Sequence, residues 1–302
     1  MEYKISSAMA SFCRSMDLYE AMKEIKESGF DALDFPFSVY RSGPDTPMAG
    51  DHWKEWVRDL KNFSEELELP IHQAHATWKQ AIGENFHYEP PLEIYRRTFE
   101  ACRFVGCRQL IFHPLRQPDR VPAREFRQKI HEYNVRWFRD LAKTAEESDV
   151  VINLENTFDS HHVQLPGDPP FPYTTAQDML DLAHDIGSSH VGICLDTGHA
   201  NISGQDIPAM IRAYGEQLTT VHLNDNYGFI SPVYEDLHLF PGSGRIEWND
   251  VFTALKEIRF SGFYNLEPVA ELKRMPDSVR RIQLRAGVDT LRALLAENEH
   301  HI

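Results

Sequence analysis

The 302-residue chain is 42% hydrophobic, enough for a sizeable core, and carries a formal net charge of −15 with an isoelectric point near 5.4. That acidic balance argues against a nucleic-acid partner, because a phosphate backbone must be met by lysine and arginine. Mean hydropathy is −0.46, and no apolar run approaches the roughly 20 residues of a membrane-spanning helix, so no membrane partner is expected.

In chain order, "YKISSAM" is expected as a first strand and "DLYEAMKEIKESGF" as a helix closed by Gly29. "DALDFPF" reads as a second strand, followed by the helix "HWKEWVRDLKNFSEELE". Then come "PIHQAH", "PLEIYRRTFEACRFVG", "RQLIFH" and a long helical region from about Pro122 to Glu147. "VVINLE", "AQDMLDLAHDIG", "VGICLD", "DIPAMIRAYGEQ", "LTTVHLND", "DVFTALKEIRFSG", "FYNLE" and a closing helix near Val279–Leu295 complete the series. Eight strand–helix units with no boundary between them predict one α/β domain over residues 1–302, a single (β/α)8 TIM barrel. The open doubly wound sheet is disfavoured because no GxGxxG follows the first strand. Two strand-to-helix loops are long and rich in Pro and Gly, "NTFDSHHVQLPGDPPFPYTT" after the fifth strand and "NYGFISPVYEDLHLFPGSG" after the seventh. Both follow strand C-terminal ends, where barrel enzymes assemble their sites. The last residues, "ENEHHI", read as a frayed tail.

Cys13, Cys102, Cys107 and Cys194 show no CxxC or framework spacing, and "MEYKISSAMASF" lacks a basic segment leading into an apolar one. Reduced thiols in a cytoplasmic protein without a secretory signal are expected.

Period two along the strands sorts their side chains into rows. Val151, Asn153 and Glu155 share a face, as do Gly192, Cys194 and Asp196, then Thr220, His222 and Asn224, then Phe263, Asn265 and Glu267. Ile71, Gln73 and His75 align in the third strand, and Ile111 aligns with His113 in the fourth. Each such row carries a histidine or carboxylate near the strand's C-terminal end, so the charged groups converge on one mouth of the barrel. Several acids in a partly dry site repel one another, so either most are protonated or a cation compensates them. The oxygen and imidazole chemistry of Glu155, Asp196, His222 and Glu267 suits Mn²⁺, Mg²⁺, Co²⁺ or Zn²⁺. Taken singly, a strand-end histidine is more often merely hydrogen-bonded, and a lone glutamate often caps a helix; recurrence over six strands weakens that reading.

Through "NLENT", "CLDTGHA", "VHLND", "DLH" with "PGSG", and "NLEP", nearly the whole chain resembles the xylose isomerase-like TIM-barrel superfamily. That superfamily includes sugar and sugar-phosphate isomerases and epimerases together with endonuclease IV. In its epimerase branch the matching positions imply one divalent metal held by Glu155, Asp196, His222 and Glu267, with His199 contacting substrate. The endonuclease branch implies further ligands at His75, His113, His199, Asp236 and His238, and up to three zinc ions. The first strand, "ISSAMASF", lacks that branch's early histidine, and no Arg, Gln and aromatic set for entering a duplex is evident.

The reading favoured is therefore an enzyme of carbohydrate metabolism, a metal-dependent isomerase or epimerase acting on a sugar or sugar phosphate. Glu155 and Glu267 would be its catalytic pair, moving a proton beside a carbonyl from opposite faces. His199 and Arg245 are the substrate-binding candidates, the latter in "PGSGRIEW", whose glycine amides suit a phosphate or hydroxyl if they are not simply a turn. Phe35, Phe37, Trp78 and Phe158 are candidate pocket walls, with core or lid packing the plainer role. The alternatives are a trinuclear-zinc phosphodiesterase of abasic DNA, a metal-dependent dehydratase of the same superfamily, and a sugar-binding barrel without turnover. A homodimer through barrel helices is compatible with the pattern.

Overall fold

Each strand pairs in parallel with the next, and the last returns to the first: β1 (Ile5–Ala8), β2 (Ala32–Pro36), β3 (Ile71–His75), β4 (Gln109–Phe112), β5 (Val151–Glu155), β6 (Val191–Asp196), β7 (Leu218–Leu223) and β8 (Tyr264–Leu266). This closed barrel is seen in a computed structural model that describes residues 3–13, 16–40, 46–76, 93–115, 123–159, 170–229, 236–267, 272 and 275–300. Closure is carried by β1, whose Ser6 is in register with Ala32 on one side and Asn265 on the other. The expected barrel is thus the fold found, and the open sheet is ruled out.

The helices α1 (Leu18–Glu27), α2 (Trp53–Glu66), α3 (Glu93–Val105), α4 (Ala123–Ser148) and α5 (Ala176–Ile186) run between successive strands. After β6 come α6 (Thr197–Ile202) and α7 (Ile207–Tyr214), and α8 (Trp248–Glu257) and α9 (Asp277–His300) complete the ring. Local chemistry accounts for their ends. Asp17 accepts the Tyr19 amide at the start of α1, and Thr175 accepts the Asp178 amide at the start of α5. Gly187, at φ 72°, closes α5 in the left-handed region that glycine enters without strain.

The apolar core lies between strands and helices, where the outward rows of the strands meet the helices' buried stripes. Phe112 of β4, for example, packs against Phe99 of α3 and Phe138 of α4, with ring centroids 5.9 Å away in both cases. Phe35 and Phe37 belong to this core: both are fully buried, 4.8 Å apart, and Phe35 also meets Trp56. Inside the barrel the lining is instead polar. Ser6, Asp34, Gln73, Asn153, Thr220, His222 and Asn265 are all buried there, where barrels ordinarily stack branched aliphatics.

Two expectations need correction. A single helix was expected between β6 and β7, but α6 precedes α7, because the Asp196 carboxylate accepts the His199 amide and starts a helical turn directly at the strand end. The expected frayed tail is helical over its described part, since α9 continues to His300, and residues 301–302 lie outside the described residues. Asn298 is buried and donates to the Asn249 carbonyl and the Thr253 hydroxyl, anchoring that end to α8. Of the long loops, residues 160–169 and 230–235 fall outside the described residues, as does Trp78.

Candidate metal centre

Four strands deliver the central group. Glu155 ends β5, Asp196 ends β6, His222 is the penultimate residue of β7, and Glu267 directly follows β8. One ligand atom from each of Glu155, Asp196, His222 and Glu267 lies within 4.8 Å of every other. His222 Nδ1 is 3.3 Å from Glu155 Oε1 and 3.4 Å from Glu267 Oε2. The strand order explains the convergence, because β5 to β8 are consecutive staves and their inward rows end at similar heights. Asp196 is in register with His222, as Glu155 is with Cys194.

Asp196 is held on every side. Its Oδ1 accepts the His199 amide at 2.7 Å and its Oδ2 accepts the Asn224 side-chain amide at 2.8 Å. Asn156 clamps its backbone from both directions, accepting its N–H at 2.7 Å and donating to its carbonyl at 3.0 Å. A carboxylate fixed in this way loses little rotamer freedom when it binds a ligand.

The other sequence candidates gather around this core. His113 Nε2 is 3.1 Å, and His75 Nε2 3.8 Å, from Glu155 Oε2. On the opposite side His199 Nε2 is 3.2 Å, and His238 Nε2 2.5 Å, from Asp236 Oδ2. His238 Nδ1 lies 3.1 Å from the Glu267 carbonyl and is held at a φ of 45°, an uncommon backbone for a residue with a side chain. Asp196, His199 and His238 form a second possible ligand group. Phe158 stands over the His199 ring at 4.7 Å. All nine candidate ligands therefore lie in one contiguous cluster.

The charges bias one another. Burial pushes the Glu155 carboxyl up, but His113, His222 and His199 outweigh it and hold it well below the usual range. Glu267 goes the other way: burial raises it, and the facing His222, His238 and His75 only partly offset this. Burial also disfavours the charged imidazoles, yet carboxylates raise His199 through Asp196 and Asp236, and raise His238, through Asp236 and Glu267, to about 10. His113 lacks enough compensation and falls to about 4.

These residues fit a cation. Glu155 Oε2 and His222 Nδ1 are buried and make no hydrogen bond among the described residues. Three carboxylates and an imidazole whose ligand atoms converge within 4.8 Å form a donor set suited to a divalent ion.

Arg245 is placed differently from the glycine-amide expectation. Its side chain is exposed, and the amides of Gly242, Gly244, Arg245 and Ile246 all donate to the buried carboxylate of Asp225, at 2.9–3.2 Å. The Trp248 indole and the Asn226 amide also donate to it, each at 2.9 Å. The loop does bind an anion, but the anion is the protein's own carboxylate, so those amides are not free for substrate.

The sequence reading missed Asp225 and also Asp34, a fully buried carboxylate beneath His75 and His222. Asp34 carried a usable signal. In "DALDFPF" it alternates with Leu33 and Phe35 on the face that period two turns inward.

Residues 22–293 match a family model described as xylose isomerase-like TIM barrel. A D-psicose 3-epimerase of Enterocloster bolteae is 28% identical over 83% of this chain and 77% of its own length. An inosose isomerase of Bacillus velezensis is 24% identical over 60% of each chain. Among solved structures, a D-tagatose 3-epimerase-like protein superposes with a TM-score of 0.72 at 20% identity, covering 97% of this chain and 98% of the other. The IolI protein, solved with a bound zinc atom, gives 0.72 at 18% identity over 98% and 99%.

Proposed function

The chain belongs to the xylose isomerase-like TIM-barrel family, and from that premise we propose that it is a metal-dependent isomerase or epimerase of a sugar or sugar phosphate. The observation that carries the reading is the meeting of Glu155, Asp196, His222 and Glu267 within 4.8 Å, with Glu155 Oε2 and His222 Nδ1 buried and making no hydrogen bond among the described residues. The relatives named for psicose 3-epimerase and inosose isomerase support the substrate class.

Glu155, Asp196, His222 and Glu267 hold one divalent ion, with manganese, magnesium, cobalt and zinc all compatible with the donor set. Such an ion supplies Lewis-acid stabilisation of charge developing on substrate oxygens. The protein's own part is proton transfer. Glu155 and Glu267 project from β5 and β8, on either side of His222, so one can remove and the other return a proton at a carbon between them. Asp196 and His222 act as anchors. His199, buried and held between the Asn156 carbonyl and Asp236, presents its ring to a substrate hydroxyl. Dry surroundings strengthen each of these contacts. The test is to quantify metal in the purified protein, then screen C3-epimerisation and aldose–ketose exchange over a panel of ketoses. Loaded protein with no turnover on the panel would count against the reading.

A second reading has its own observation. His75 and His113 flank Glu155 Oε2, and Asp236 joins His199 to His238, so nine ligand-type residues are contiguous. This favours up to three zinc ions and phosphodiester hydrolysis. About one metal equivalent supports the isomerase, whereas near three, with cleavage of an abasic duplex, supports the phosphodiesterase.

A further inference from the structure

The polar barrel interior directly beneath the centre has no role in the chemistry above. Its hub is Asp34, the middle residue of β2, with no exposed side-chain surface. A buried carboxylate costs stability unless its lone pairs are satisfied, and a packed aliphatic would serve a barrel interior better. Asp34 is well satisfied. Its Oδ1 accepts His75 Nδ1–H at 2.9 Å, while its Oδ2 accepts Gln73 Nε2 at 3.0 Å and Asn265 Nδ2 at 3.2 Å. Asn265 is itself fixed by the Ser6 hydroxyl at 2.9 Å, and Oδ2 also lies 3.5 Å from His222 Nε2. The His75 and His222 rings stack, with centroids 4.9 Å apart and planes at 29°, so one carboxylate sits under the edges of both.

We propose that Asp34 is a positioning residue of the metal centre, holding His75 directly and His222 through Gln73 from below so that their opposite nitrogens face Glu155. This rests on the metal-binding part of the function proposed above and is independent of which substrate is turned over. A carboxylate only accepts hydrogen bonds, so it selects the imidazole tautomer that carries hydrogen on the nitrogen next to it. For His75 that nitrogen is Nδ1, which leaves Nε2 as a bare lone pair 3.8 Å from Glu155 Oε2. Asp34 acts on His222 through Gln73, whose side-chain amide donates to Asp34 Oδ2 and meets His222 Nε2 at 3.0 Å, leaving the ring's Nδ1 edge facing Glu155 and Glu267. Outer carboxylates that orient ligating histidines typically contribute 10–100-fold in metal affinity. A competing role exists, because Asp34, His75 and His222 themselves bring ligand atoms within 4.8 Å and could take an ion directly. The 2.9 Å His75–Asp34 hydrogen bond argues for positioning, since an ion between those atoms would have to displace it.

The test titrates metal-stripped full-length protein with Co²⁺, read by calorimetry and by visible absorption. Wild type comes first: no uptake there overturns the metal reading itself, separately from the role of Asp34. In Asp34→Asn the expected result is the same number of ions, an unchanged absorption band for the tightest site, and affinity weaker by about 10–100-fold. The combined Asp34→Asn and His75→Asn variant should lose less than the product of the two single losses, because one residue acts through the other. Unchanged affinity overturns the proposal. So does binding of one ion fewer with the others unaffected, which makes Asp34 a ligand. Should Asp34→Asn fail to fold, imidazole nitrogen NMR of the stripped wild type decides: Nδ1–H on His75 is expected, and Nε2–H overturns the assignment.

Discussion

His222 Nδ1 stands 3.3 Å from Glu155 Oε1, on an imidazole with no solvent exposure and no hydrogen bond at that nitrogen among the described residues. Without a cation this contact must be met by a proton held between the imidazole and the carboxylates. With one, both groups turn their lone pairs on the ion. Metal should therefore stabilise the folded chain: at 100 times its dissociation constant the gain is about 2.7 kcal/mol. Thermal melts of chelator-stripped protein should shift upward with Mn²⁺, Co²⁺ or Zn²⁺, and turnover should vanish on stripping and return on reloading. A melt that ignores all of these ions would remove the metal centre.

Glu155→Gln and Glu267→Gln separate proton transfer from metal holding. Glutamine keeps the shape and one oxygen donor, so metal should remain at least partly bound, but it cannot take up a proton. The turnover number should fall by about 10²–10⁴-fold in each variant, the usual worth of a positioned acid or base. Steady-state kinetics alongside metal analysis measures this. Retained turnover in Glu155→Gln would remove that residue from the catalytic role.

Much of this was legible because a barrel translates strand order into spatial order. Once eight strand–helix units are counted, period two alone turns Glu155, Asp196, His222 and Glu267 to the same mouth. The illegible parts are those that depend on contacts distant in sequence. The "PGSG" amides look like an anion site and are one, but their anion, Asp225, lies 17–21 residues upstream and is defined only once the loop folds back. Asp34 had the right periodicity, yet its meaning depends on His75 arriving 41 residues later. The length of α9 hinges on Asn298 finding the α8 backbone, which no propensity encodes.

Gly198 tests how tightly the support of Asp196 is packed. A Cβ there would clash with the Asn224 side-chain oxygen and come within 2.9 Å of Asn226 Nδ2. Helix propensity alone favours alanine by about 1 kcal/mol, but overpacking costs about 1–3 kcal/mol, so Gly198→Ala should be net destabilising. Because Asn224 donates to Asp196 Oδ2 at 2.8 Å, the displacement should also weaken metal binding about tenfold or more. Urea denaturation and metal titration of the same variant give both numbers. Wild-type affinity would show that Asn224 can move without disturbing Asp196.

Asp225→Ala removes the acceptor for five backbone amides and the Trp248 indole at once. Loss of a buried charge that satisfies so many donors should cost about 3–5 kcal/mol. The loop also carries the paired Asp225 and Leu239 backbones next to His238, so metal affinity should drop with it. Chemical denaturation of stripped protein gives the stability term. A loss under about 1 kcal/mol would mean that water replaces the carboxylate easily.

His72 gives a pH prediction away from the metal. Its ring stacks on Phe263 at 3.8 Å, and its Nε2 is buried with no hydrogen-bond partner among the described residues. Burial, reinforced by Lys4 and only partly countered by Asp34, lowers its pKa from about 6.5 to about 4. Between these values the unfolded chain binds the proton and the folded chain does not. This contribution is therefore complete above about pH 6.5 and is lost as pH falls toward 4, by up to about 3 kcal/mol. In His72→Phe, which keeps an aromatic ring against Phe263 but cannot titrate, stability should fall less steeply over that window. Urea midpoints for both proteins at half-unit steps from pH 7 to 4 measure the difference. Parallel curves would mean that His72 takes up its proton equally well in the folded barrel.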